Sequence, residues 1–176
     1  MASMDAATRL NQLQHAFEQA TGLRLAVAFE LEFYLLPDIS EETAHHILSQ
    51  FKTLLAKDDI RLVRAEAERG EGQYEIALMP HFDAVHAATE FQCVKEHLNT
   101  AAHQYDATVC LNAQPFDDQP GSGLHVHLSL HDHDGRNLFV KQEGEETAEM
   151  LYAIAGLLDI LPATMLFYAP TEASYR

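Results

Sequence analysis

The stretch Leu23–Leu36 constrains this chain more than any other. Leu25, Val27, Phe29, Leu31 and Phe33 fall on one side of a period-two pattern, with Ala26, Ala28, Glu30 and Glu32 on the other. That period is a strand, and a strand with one wholly apolar side must lie on a core. The other side is unusual, because Glu30 and Glu32 project their carboxylates from it about 7 Å apart along the backbone. Like charges so placed repel. Either this is the solvated outer face of an edge strand, or something positive sits between the two acids, and the pair alone leaves both readings open.

The rest of the chain supplies what such a strand needs. Leu10, Leu13 and Phe17 recur at helical spacing between Asp5 and Ala20, with Gly22 as a stop. Ser40, then Glu42 and Thr43, reads as the start of a second helix carrying Ile47, Phe51, Leu54 and Leu55 to about Lys57. A short strand is expected over Ile60 to Ala65, and another over Tyr74 to Leu78, where Glu75 shares the polar face. Pro80 opens the longest helical pattern, an apolar stripe of Val85, Ala88, Phe91, Val94, Leu98 and Ala101. Ala107 to Ala113 reads as a strand and Gln119 to Gly123 as a turn. In Leu124 to Leu130, His125, His127 and Ser129 oppose Leu124, Val126, Leu128 and Leu130. Asp134-Gly135 signals a hairpin before Asn137 to Val140, and a last helix runs from Thr147 to Leu161, ended or kinked by Pro162. The fold class is therefore α+β: a curved, largely antiparallel sheet with helices packed on one face and the carboxylates on the other.

Composition narrows the function. A chain of 176 residues, 47% hydrophobic and 22% charged, is expected to form one globular domain, residues 1–176. No stretch approaches the ~20 uninterrupted apolar residues of a membrane span, so no membrane partner is expected. The net charge of −16 disfavours a phosphate backbone, so no nucleic acid is expected either. An acidic surplus suits solubility or the binding of hard cations. Cys93 and Cys110 make no CxxC and the start lacks the apolar run of a secretory signal, which reads as a cytoplasmic chain.

Glu75 on one strand, Glu68 on the Gly-rich approach to it, and His125 at the head of another strand add to Glu30 and Glu32. Four carboxylates and an imidazole on separate strands form a candidate site for Mg²⁺ or Mn²⁺. His131 and His133 read as a solvated hairpin, and His45, His46, His81, His86, His97 and His103 as helix surface or helix ends. Cys93 reads as inert core.

Ala28-Phe-Glu-Leu-Glu-Phe-Tyr-Leu35, Glu68-Arg-Gly-Glu-Gly-Gln-Tyr-Glu75 and Gly121-Ser-Gly-Leu-His-Val-His-Leu-Ser129 resemble, in order, signature segments of the glutamine synthetase catalytic domain. Gln114-Pro115-Phe116 stands where that family has Lys-Pro, and Tyr168 to Arg176 is similar to its Asn-Pro-Thr-x-Asn-Ser-Tyr segment. The resemblance implies ATP-dependent joining of glutamate to ammonia or an amine through a γ-glutamyl phosphate. It implies Glu32, Glu68 and Glu75 as ligands of one divalent ion, and Glu30 and His125 as ligands of a second. It places His127 and Ser129 near the nucleotide and the Gly121 backbone against substrate glutamate. Pro120, where ammonia-using members have Asn, is similar to the branch that uses putrescine or other amines.

Beside that family the chain reads as a truncated catalytic domain. The N-terminal β-grasp domain is expected to be absent, as is the C-terminal part, with its closing glutamate and substrate-holding and phosphoryl-stabilising arginines. The resemblance therefore implies a ligase impaired or inactive as this chain alone. The alternative is a non-catalytic metal- or nucleotide-binding remnant that pairs with a full-length relative. A homo-oligomer is compatible with both.

Overall fold

Strand β1 (Arg24–Leu36) realises the alternating stretch in a computed structural model that describes residues 5–141 and 144–175. The other elements follow as α1 (Ala6–Thr21) before it, then α2 (Glu41–Lys57), β2 (Leu62–Ala67), β3 (Gln73–Leu78), α3 (Ala84–His103), β4 (Thr108–Cys110), β5 (Leu124–His131) and α4 (Ala148–Tyr168), closed by a 3₁₀ turn at Glu172–Tyr175. The sheet order is β2-β3-β1-β4, and β5 also pairs with β1. The β1–β3, β1–β4 and β2–β3 pairs are antiparallel.

The chain divides into two compact units. One comprises Ala28–His81 and Val85–His127, the other Met1–Val27, Phe82–Ala84 and Leu128–Arg176. In the first unit, Leu31, Phe33 and Leu35 of β1 and Ile76 and Leu78 of β3 meet Ile47, Phe51 and Leu55 of α2 and Phe91, Val94 and Leu98 of α3. Phe29 and Phe91 stack with ring centroids 4.8 Å apart. Both helices therefore cover the odd-numbered face of β1, as its alternation requires. Ser40 caps α2 by accepting from the Thr43 backbone N–H at 3.1 Å, with Glu41 and Glu42 in the first turn and Lys57 in the last, the polarity that suits the helix dipole.

In the second unit, Asp5 caps α1 by accepting from the Thr8 N–H (2.9 Å), and Gly22, at φ 70, ends it in the left-handed conformation. The Gln14 side chain donates to the Phe82 carbonyl (2.6 Å) and accepts from the Ala84 N–H (2.8 Å), while the Arg24 guanidinium lies 4.1 Å from the Phe82 ring centre. Neither α1 nor α4 has a buried residue.

Several boundaries differ from expectation. The helix expected to open at Pro80 starts at Ala84, where the side chain of Gln14 accepts from its first N–H. Strand β4 is confined to three residues. Past the Asp134-Gly135 turn there is an isolated bridge between His131 and Asn137 rather than a strand over Asn137–Val140. Helix α4 continues through Pro162 to Tyr168; Pro removes one backbone donor and leaves the other rungs of the ladder in place. This extension also amends the expectation about membrane spans. At 21 residues, with a mean hydropathy of 1.8 over an 18-residue window, α4 is by length and composition alone apolar enough to cross a membrane, although Asp159 sits within it.

Candidate cation site

Antiparallel register builds the site row by row. Glu32 of β1 lies opposite Glu75 of β3, which lies opposite Glu66 of β2. Two residues along, Glu30 and Arg64 both lie opposite Ala77. Since side chains two apart share a face, all of these project from the sheet surface away from the α2 and α3 core.

The Arg64 guanidinium holds this surface together. Its Nη2 lies 3.1 Å from Glu30 Oε2, and its Nε lies 2.7 Å from Glu75 Oε1 and 3.0 Å from Glu66 Oε1. Glu30 also accepts from His127 Nε2 (2.8 Å) and His125 Nδ1 (3.2 Å). Glu30 is held well below the usual carboxylate range, first by a hydrogen bond from Glu75, then by those from His125 and His127 and by the Arg64 charge, all against the cost of burial. Glu75 is pushed up, first by burial and then by Glu30, with Arg64 opposing. The two carboxyls titrate as a coupled pair in which Glu75 holds a proton more readily than Glu30. An ionised Glu30 only accepts, so the contacting nitrogens of both histidines carry the protons.

A polar cleft of about 510 Å³ opens over these groups, lined among others by Glu30, Glu32, Glu68, Glu75, Gly121 and His125. The Gly123 backbone N–H donates to Glu32 Oε2 at 3.0 Å. Buried Gln73 donates to the Gly121 carbonyl (3.0 Å) and accepts from the Gly70 N–H (3.0 Å), and the Tyr34 hydroxyl donates to the Pro120 carbonyl (2.7 Å). Burial, then the charges of Glu32 and Asp118, raise the Tyr34 phenol and keep it a donor. Gly121 is required here, because a Cβ would stand 2.7 Å from the Ala113 carbonyl oxygen.

Two sets of three groups can each bring ligand atoms within 4.8 Å of one another: Glu32, Glu75 and His125, and Glu30, His125 and His127. This donor set, carboxylate oxygens with an imidazole or two, fits a divalent cation of the Mg²⁺ or Mn²⁺ class. Of the residues singled out from sequence, Glu30, Glu32, Glu75 and His125 converge. Glu68 lines the same cleft, with its carboxylate accepting from the Arg69 N–H at 3.0 Å. His127 reaches Glu30, and Ser129 contacts His131 Nε2 at 3.0 Å. Sequence reasoning passed over Arg64, Glu66, Gln73 and Tyr34. The signal for Arg64 and Glu66 was their shared parity in a short strand flanking Glu75; Gln73 and Tyr34 carried none.

The family profile described as "Glutamine synthetase, catalytic domain" matches residues 40–176. The chain belongs to the glutamine synthetase family. A gamma-glutamylputrescine synthetase from Escherichia coli (strain K12) is 27% identical over 95% of this chain and 41% of its own length. A glutamate–isopropylamine ligase from Pseudomonas sp. is 29% identical over 94% of this chain and 42% of its own. A crystal structure of a novel glutamine synthase homolog superposes with TM-score 0.84 at 28% identity, covering 96% of this chain and 42% of that one. The chain thus spans less than half the length of these family members, and across that span it has the family's α+β fold.

Proposed function

We propose that this chain is the cation-binding part of an ATP-dependent ligase that joins the γ-carboxylate of glutamate to a primary amine or to ammonia. The observation that carries this reading is the convergence of Glu30, Glu32, Glu75 and His125 in one cleft. Glu32, Glu68 and Glu75 are the ligands proposed for one divalent ion, and Glu30 and His125 for a second. Such cations neutralise charge on transferring phosphoryl groups and align an in-line displacement. The γ-phosphoryl group of ATP passes to the γ-carboxylate with ADP as leaving group, and the amine then displaces phosphate.

The chain's own groups have defined tasks in this scheme. Gly121, pinned through its carbonyl by Gln73, offers backbone to the substrate glutamate. His127 and Ser129 are assigned to the nucleotide side. Pro120 in place of the Asn of ammonia-using members supports an amine as co-substrate, as do the names of the two curated relatives.

Tested alone, the 176-residue chain is expected to turn over little. Arg64, a guanidinium of the cleft, is committed to three carboxylates and is poorly placed to stabilise phosphoryl charge in the transition state. A second reading, a non-catalytic cation-binding chain that associates with another copy or a full-length relative, is favoured by the exposed apolar side chains of α4, Leu151, Leu158 and Phe167 among them.

Calorimetric titration with Mn²⁺ tests the common element. The parent should take up Mn²⁺, and Glu32→Ala with Glu75→Ala should remove the uptake that belongs to the first ion; no uptake by the parent, or unchanged uptake by the variant, rejects the site. Phosphate release from ATP with glutamate plus putrescine or ammonia then separates the readings, since robust release by this chain alone would reject its expected impairment.

A further inference from the structure

A second group of ligand-type side chains shares no residue with the cleft. Helix α3 presents His86 and Glu90 one turn apart, and His81 comes from the segment that leads into the helix. His81 Nε2 lies 2.9 Å from Glu90 Oε1, and His86 Nε2 lies 3.8 Å from Glu90 Oε2. One ligand atom from each lies within 4.8 Å of the others, and the two imidazoles meet edge to face with centroids 4.5 Å apart.

The Glu90 side chain is only 9% exposed, and among the described residues no lysine or arginine pairs with it. A carboxylate so far out of water needs a cation or strong donors, and an ion held between it and the two imidazoles would supply one. The spacing is right for a metal. Ligands 2.0–2.1 Å from a tetrahedral ion stand about 3.4 Å apart, and with one imidazole 2.9 Å from Glu90 Oε1 and the other 3.8 Å from Oε2, small side-chain adjustments reach that spacing. The support is rigid as well, because Ala87, Phe91 and Val94 anchor this part of α3 in the core. The His86 side chain is 58% exposed, which leaves a path for entry and room for water as a further ligand.

We propose that His81, His86 and Glu90 form a separate binding site for a borderline divalent cation of the Zn²⁺ class, which fastens the segment after β3 to the start of α3. Two imidazoles with one carboxylate select this class over Mg²⁺, which prefers an all-oxygen shell. The site is independent of the chemistry proposed for the cleft and stands if that proposal falls.

The test uses the full chain and its Glu32→Ala, Glu75→Ala, His125→Ala variant, in which both ligand sets of the cleft are broken. Zn²⁺ is titrated calorimetrically, and Co²⁺, as its spectroscopic stand-in, is followed by visible d–d absorption. The cleft variant should bind one equivalent of Zn²⁺ and give the Co²⁺ band in excess Mg²⁺. Adding His86→Ala, at a half-exposed position, should leave the circular dichroism spectrum unchanged, weaken Zn²⁺ at least tenfold and remove the band. If the cleft variant does not fold, the parent with its cleft saturated by Mg²⁺ is used, with and without His86→Ala. No Zn²⁺ uptake beyond the cleft, or uptake indifferent to His86→Ala, would overturn the proposal and leave only imidazole–carboxylate hydrogen bonds.

Discussion

The two faces of the β1–β3 ladder are made from the same few residues, read alternately, and they are under opposite demands. One face places Leu31, Phe33 and Ile76 against α2 and α3, where every contact favours folding. The other places Glu30, Glu32 and Glu75 side by side, where the charges oppose one another and Arg64 compensates. A sheet can carry such a face because burial on its other side is worth ~25 cal/mol per Å² of apolar surface. Stability and proposed function are therefore separable by parity along a single strand, and substitutions on the two faces should fail in different ways.

The largest effect is expected on the apolar face. Phe51 is fully buried in that core, and Phe51→Ala should cost about 3–5 kcal/mol, read as a lower urea midpoint with an unchanged slope. A cost near zero would mean that α2 does not need its apolar stripe. On the opposite face Glu75→Gln should do the reverse. Burial and Glu30 disfavour the Glu75 charge, so the neutral isostere should keep or raise the unfolding midpoint while Mn²⁺ binding weakens by more than the ~10-fold typical of losing a group that only supports a ligand. Loss of stability together with unchanged Mn²⁺ binding would show that Glu75 belongs to the scaffold. A smaller effect belongs to Arg64, whose guanidinium occupies the ground between Glu30 and Glu75 that a cation would take. Arg64→Met should lower metal-free stability and tighten Mn²⁺ several-fold; weaker Mn²⁺ binding would make Arg64 an organiser of the carboxylates rather than a competitor.

How much of this was legible in the sequence follows from what a linear pattern records. Parity along β1 put Glu30 and Glu32 on one face and Leu31 and Phe33 on the other, and Ser40 marked the start of α2, because both signals are local. Register is not local. That Glu75 stands opposite Glu32, and that Arg64 reaches Glu30, depends on how β2, β3 and β1 slide against one another, and a slip of one residue would turn each side chain to the other face. For the same reason the pattern around His81 and His86 points only to helix surface or helix ends. The i,i+4 spacing of His86 and Glu90 was visible, but the approach of His81 to Glu90 depends on where α3 begins, at Ala84 rather than Pro80. Pro162 leaves two outcomes open in the sequence, a stop or a helix that carries on past it, and α4 takes the second, to Tyr168.

The smallest effect sharpens the comparison most. The Ser40 hydroxyl accepts from the Thr43 N–H and closes the start of α2, whose buried residues Ala44, Ile47, Phe51 and Leu55 all belong to the core on the apolar face. Replacing a Ser cap by Ala typically costs ~1 kcal/mol, because the orphan N–H is then left to water. Ser40→Ala should therefore lower the unfolding midpoint modestly. It touches no carboxylate, so Mn²⁺ affinity should match the parent at temperatures well below unfolding. If affinity falls in step with stability, strain at the α2 start is reaching Glu32 and Glu75 through the sheet, and the two faces are mechanically coupled. If affinity holds while the midpoint drops, the alternation of β1 insulates the proposed site from its scaffold.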